Sequence, residues 1–175
     1  MMVLSFFILV FIYYPLAKIY FFPDSPVIPP GMPSISIPRI NAVAPLELNI
    51  DPWKKELYEP ALEKGVAHAL GTALPGEGKL IYLFAHSSSP AWKITRYNTI
   101  FLRLNELQVG DPITISKNGK DYIYTVVDKK VVSPRDVEFL TEPGNIEQLV
   151  IQTCWPIGTD WQRLLVFAEP VELDR

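Results

Sequence analysis

The sequence predicts an all-β domain, a barrel or sandwich with one or two short helices, set behind an N-terminal membrane-spanning helix. Three observations lead there. From about Ser34 onward, apolar runs are short and turn residues interrupt them every few positions, the rhythm of small closed or stacked antiparallel sheets. Asn118-Gly119 stands between two alternating runs in DPITISKNGKDYIYTVV, the strongest short-range signal of a hairpin. The first 22 residues carry a single charge, Lys18, and as a helix would cover about 30 Å, enough to cross a bilayer. With 175 residues, 49% of them hydrophobic, one domain with a sizeable core fits and a second full one does not. A net charge of −3 and no basic run longer than Lys54-Lys55 or Lys129-Lys130 argue against a nucleic-acid footprint.

Residues 1–22 read as an uncleaved anchor, because a cleaved leader would need a basic start and a small-residue cleavage site that MMVLSFFILVFIYYPLAKIYFF lacks. Residues 23–34 follow as a proline-rich stalk. Six of the 17 prolines fall between Pro23 and Pro38, and such chain is extended and stiff. Residues 35–175 form the head. SISIPRINAVAPLELNI opens it with strands bent or placed at an edge by Pro38 and Pro45. DPWKKELYEPALEKG predicts a short helix with Asp51 as N-cap, Pro52 at the first position and Gly65 as its stop, limited by Pro60. KLIYLFAH is a strand covered on both faces that ends at His86. EQLVIQTC and RLLVFAEPV are two more buried strands, and their connecting loop has Cys154 at one end and Arg163 at the other.

Cys154 is the only cysteine. A lone thiol is either a small buried hydrophobe or a group held free for chemistry. Its place at a strand end, before a loop containing Pro156 and Gly158, presents the side chain. A nucleophilic thiol needs help to ionise. His86 is a candidate acid/base, with His68 as its competitor. Arg163 could hold a carbonyl or an oxyanion, or be an ordinary surface charge. Two histidines and one cysteine cannot build a zinc site of the usual spacing, so no metal is expected.

QTCWPIGTDWQRLLVFA resembles the sortases, membrane-anchored cysteine transpeptidases with a Thr-Leu-x-Thr-Cys strand end and an arginine opening the next strand. VIQTC departs from that pattern at Val150 and Ile151 and keeps Thr153 and Cys154. GVAHALGTALPGEGKLIYLFAHSSS is similar to the family segment that ends in the catalytic histidine, which matches His86 and not His68; Ala85 stands where the family has glycine. The Trp155-Pro156 pair looks most like class D or class E members.

The resemblance implies an eight-stranded closed β-barrel with His86, Cys154 and Arg163 as catalytic residues at one end of a groove. It also implies a membrane-anchored, extracytoplasmic enzyme that cleaves a Leu-Pro-x-Thr-Gly-like C-terminal sorting signal. The acyl group passes through a thioester to an amine acceptor, a cell-wall peptide or a pilin lysine. Thr153, Trp155 and Trp161 are candidate substrate-binding residues. Some sortases order the loop before the cysteine strand with calcium; here that loop carries Asp136, Glu138, Glu142 and Glu147, and acidic loops are commonly just solvated, so no cofactor is expected. A catalytically silent peptide-binding barrel and a cysteine hydrolase are the alternative readings.

Overall fold

A computed structural model of the chain describes Tyr14 and residues 28–88, 97–141 and 146–171. The predicted anchor and the start of the stalk lie outside the described residues, apart from Tyr14. Among the described residues no helix is long and apolar enough to cross a membrane.

Eight strands form a closed barrel, which resolves the choice between barrel and sandwich. In chain order they are β1 (Ser34–Ile37), β2 (Ala42–Ile50), β3 (Val66–Ala69), β4 (Leu80–Phe84), β5 (Pro112–Lys117), β6 (Lys120–Val132), β7 (Gln148–Trp155) and β8 (Gln162–Pro170). Around the barrel the order is β1-β2-β3-β4-β7-β8-β6-β5, and β1 closes on β5 in antiparallel register. Neither β1 nor β2 is therefore an edge strand. Pro38 instead starts a 3-10 turn at the corner between them, where its missing N–H is no loss.

Two pairs are parallel, β2 with β3 and β4 with β7. The first is joined through helix α1 (Lys55–Leu62), the crossover that parallel strands require. This helix starts at Lys55 and not at Pro52. The Asp51 carboxylate accepts the Trp53 N–H at 3.0 Å and pairs with the Lys54 ammonium at 3.3 Å, so it closes a turn ahead of the helix and Lys54 becomes the N-cap. Pro60 lies inside α1 without ending it. Gly65 brings the chain back against β2, where a Cβ would collide with the Pro45 carbonyl oxygen, so only glycine fits.

The hairpin β5–β6 turns at Asn118 and Gly119 with φ of 53° and 75°, the positive pair a type I′ turn needs. The acidic segment before β7, expected as a loop, contains a one-turn helix α2 (Glu138–Thr141). Phe139 packs edge-on against Phe167 of β8 at 5.6 Å, with the Lys130 ammonium over both rings. That apolar anchor, worth about 1 kcal/mol beyond its buried area, ties α2 to the outer face of the barrel. The interior is filled by fully buried side chains such as Ile35, Ile81, Leu83, Ile113, Ile115, Tyr124, Leu149 and Ile151. All five residues of β4 are buried, as its unbroken apolar run predicts.

Candidate active site

Strand pairing brings the predicted residues together. β7 and β8 run antiparallel with Cys154 directly opposite Arg163, so both side chains rise from the same face of the sheet. β4 runs parallel on the other side of β7, with Phe84 beside Gln152. His86, two positions beyond the last residue of β4, thereby arrives next to the end of β7. Two hydrogen bonds hold it there: the Ala85 N–H donates to the Gln152 carbonyl at 3.2 Å, and the Thr153 hydroxyl donates to the Ala85 carbonyl at 2.9 Å. The Phe101 N–H adds a third tie, to the His86 carbonyl at 3.3 Å.

A cleft of about 210 Å³ opens over this junction. His86, Thr153, Cys154 and Arg163 all line it. One wall is Pro52, Trp53, Tyr58 and Leu62, on and before α1; the other is Pro134, Asp136, Val137 and Leu140, around α2. Tyr82, Phe84 and Gln152 form the floor between them.

Burial raises the Cys154 thiol above its ordinary value, against the lowering effect of the Arg163 guanidinium. Burial likewise lowers the His86 imidazole, opposed by Glu59 and Glu63 on α1. Both shifts favour the neutral partners, so near neutral pH the resting pair is thiol and uncharged imidazole. The Arg163 guanidinium is steadied by its own loop, donating to the Asp160 and Gln162 carbonyls at 3.0 Å each, which leaves N–H groups for a ligand.

The remaining candidates stand differently. Thr153 is 2% exposed and its hydroxyl is engaged with Ala85. Trp155 is partly buried and packs on the barrel core, while Trp161 is 72% exposed; neither is among the described residues lining the cleft. His68 is buried and is not among the described residues lining the cleft; its Nε2 lies 2.9 Å from the Ala73 carbonyl and its Nδ1 accepts the Asn49 N–H at 3.3 Å. In the acidic segment, Asp136 accepts the Ser133 N–H. Both Glu147 oxygens are engaged by Gly76, Gly78 and Tyr124. Glu142 lies outside the described residues, and among those described no three His, Cys, Asp or Glu side chains gather to hold a metal.

The sequence reading passed over Tyr82 and Gln152. The Tyr82 hydroxyl donates to the Gln152 Oε1 at 2.7 Å, and burial drives that phenol far up. The signal for Gln152 was present: a carboxamide interrupting the apolar strand LVIQTC.

A family model described as "Sortase domain" matches residues 35–171. Sortase D of Bacillus subtilis (strain 168) is 28% identical over 140 residues, covering 78% of this chain and 62% of that protein. Sortase A from Corynebacterium diphtheriae superposes with a TM-score of 0.67 at 34% identity, covering 83% of this chain and 62% of that one. Sortase C1 from Streptococcus agalactiae gives 0.67 at 28%, with coverages of 86% and 73%. A Clostridium perfringens sortase D5 transpeptidase gives 0.64 at 25%, with coverages of 81% and 79%. The chain thus spans less than two thirds of the length of the first two relatives.

Proposed function

The chain belongs to the sortase family, and on that premise we propose that it is a cysteine transpeptidase acting on a Leu-Pro-x-Thr-Gly-like C-terminal sorting signal. The observation that carries this reading is the meeting of Cys154, Arg163 and His86 on one cleft, the first two directly opposed across β7 and β8.

The chemistry follows from the resting protonation states. Neutral His86 takes the thiol proton as Cys154 Sγ attacks the carbonyl carbon, and the Arg163 guanidinium faces the negative charge that develops on oxygen. The C–N bond breaks as His86 returns its proton to the leaving amine, and a thioester remains. An incoming amine attacks that thioester, gives its proton to His86 and restores the thiol. No step draws on a metal or cofactor. The acceptor in this reading is an amine of a cell-wall peptide or a pilin lysine, and the apolar N-terminal segment anchors the head to the outer side of a membrane by way of the proline-rich stalk.

The test is mass analysis of a sorting-motif peptide incubated with the protein, with and without an added amine. The expected product is the amine conjugate, and Cys154→Ala should lower its formation by at least about 10³-fold. Hydrolysis indifferent to the amine would mark a hydrolase; no reaction with an inert thiol would mark a silent binder. Undiminished transfer by Cys154→Ala would overturn the reading.

A further inference from the structure

The loop that joins Cys154 to Arg163 is tied to the histidine segment by a hydrogen bond that lies outside the strand pairing. The loop begins as a tight turn. The Thr159 N–H and the Thr159 hydroxyl both donate to the Pro156 carbonyl, at 3.0 and 2.8 Å, and Gly158 has a φ of 84°, the pattern of a type II turn with glycine at its third position. A Cβ on Gly158 would meet nothing within 4 Å, so backbone conformation and not space calls for glycine there. The Gly158 N–H takes no part in closing the turn. It donates instead to the Ser88 Oγ at 3.0 Å, two residues beyond His86. At the other end of the loop, the Asp160 and Gln162 carbonyls each accept from the Arg163 guanidinium at 3.0 Å. A path therefore runs from His86 through Ser88 and Gly158 to Asp160 and the Arg163 guanidinium, without passing through Cys154.

We propose that Ser88 is a positioning residue, whose hydroxyl holds the Gly158 turn and through it sets the Arg163 guanidinium relative to His86 and Cys154. Strand register fixes the backbones at Cys154 and Arg163, but it does not place a guanidinium at the end of several rotatable bonds. The two carbonyl partners do that, and they stand on a loop in which residues 156–158 and 160–162 are exposed. Such a loop has little buried surface to hold it still. The bond from Ser88 supplies a hold that burial does not. Burial raises the Cys154 thiol, Arg163 lowers it, and Asp160 raises it by less than Arg163 lowers it, so a guanidinium that leaves its place leaves the thiol harder to ionise. The role of Arg163 in turnover rests on the transpeptidase reading; its placement by Ser88 does not.

The experiment is alkylation of Cys154 by iodoacetamide, an uncharged reagent that reacts with the thiolate, followed by intact-protein mass at a fixed pH below the thiol midpoint. Each rate is divided by the same variant's plateau at high pH, which removes differences in access. Ser88→Ala should lower this relative rate about two- to fivefold, and Arg163→Ala should lower it at least as much. The double variant should be no slower than Arg163→Ala alone. Ser88→Thr, which keeps the hydroxyl, should restore most of the wild-type rate. In the transfer assay, Ser88→Ala should lower kcat about two- to fivefold with KM unchanged. A relative rate in Ser88→Ala equal to or above wild type overturns the proposal, even if the urea midpoint falls, because the hydroxyl then only supports the fold. Slowing that adds in full to that of Arg163→Ala overturns it too, because Ser88 then acts by another route. The expected coupling in a protein that transfers no peptide to any amine overturns the transpeptidase reading and leaves the placement of Arg163 by Ser88 standing.

Discussion

The two ends of β7 lie about 23 Å apart and treat their polar groups in opposite ways. At its start, Glu147 Oε1 accepts the Tyr124 hydroxyl at 2.7 Å and the Gly76 N–H at 3.2 Å, and Oε2 accepts the Gly78 N–H at 2.9 Å. One carboxylate therefore pins the turn between β3 and β4 to the rim of the barrel, and Gly76 is pressed so closely on Tyr122 that a Cβ would sit 2.9 Å from the ring. At the other end the thiol is raised, the imidazole is lowered, and the Ser87 hydroxyl beside His86 is buried without a partner among the described residues. Polar groups that are saturated hold a fold together, whereas polar groups left wanting are ready to react. The same parallel strand pair, β4 with β7, supplies both.

Substitutions at the two ends should therefore separate activity from stability. The largest effect is expected for Arg163→Ala, which removes the charge that the proposed chemistry sets against the developing oxyanion: kcat in the transfer assay should fall about 10²- to 10³-fold, with the urea midpoint little changed. Glu147→Ala should do the reverse. It strands the Tyr124 hydroxyl and two turn amides, so unfolding in urea should show a loss of about 2–3 kcal/mol, with kcat/KM below the transition within about twofold of wild type. Equal damage to both properties by either variant would break the comparison.

Thr153→Val belongs between the two, because its hydroxyl both satisfies the Ala85 carbonyl and sets His86 beside Cys154. A loss of about 1 kcal/mol in stability should accompany a drop in kcat that leaves KM unchanged, while Thr153→Ser should recover most of it. A structural role alone would leave kcat intact.

The finest effect is in the pH dependence. In the proposed chemistry His86 must be neutral to accept the thiol proton, and its lowered value places the acid limb of kcat/KM below 6.5. Above the raised thiol value, beyond 9.0, thiolate forms beside neutral imidazole and no proton is left for the leaving amine, so activity falls again. The plateau should therefore be wider than the two ordinary values would give. In residual activity of Arg163→Ala the basic limb should move up, since the guanidinium holds the thiol down.

Much of this end was legible in the sequence because it depends on short-range features. Cys154 and Arg163 terminate two apolar runs separated by one loop, and such runs pair as neighbours; β4 announced itself as an unbroken buried strand, though it ends at Phe84 and not at His86; the Asn118-Gly119 turn fixed β5 and β6. What stayed hidden depends on long-range adjacency. Nothing in KLIYLFAH says that it lies parallel to LVIQTC, so the Tyr82–Gln152 pair and the Thr153–Ala85 bond were out of reach. Nor did the sequence show that the segment from Pro52 to Leu62 and the one from Pro134 to Leu140 would face each other as walls. The late start of α1 has a local cause: Asp51 can cap either a helix or a turn, and it takes the turn.

Closure of the barrel by β1 on β5 has a further meaning under the proposed transpeptidase function, in which the ligand is an extended peptide. An open sheet would offer such a peptide a row of bare amides and bind almost any sequence as one more strand. A ring of strands offers none. On that reading, recognition of a peptide falls to side chains and cleft walls and not to the addition of one more strand.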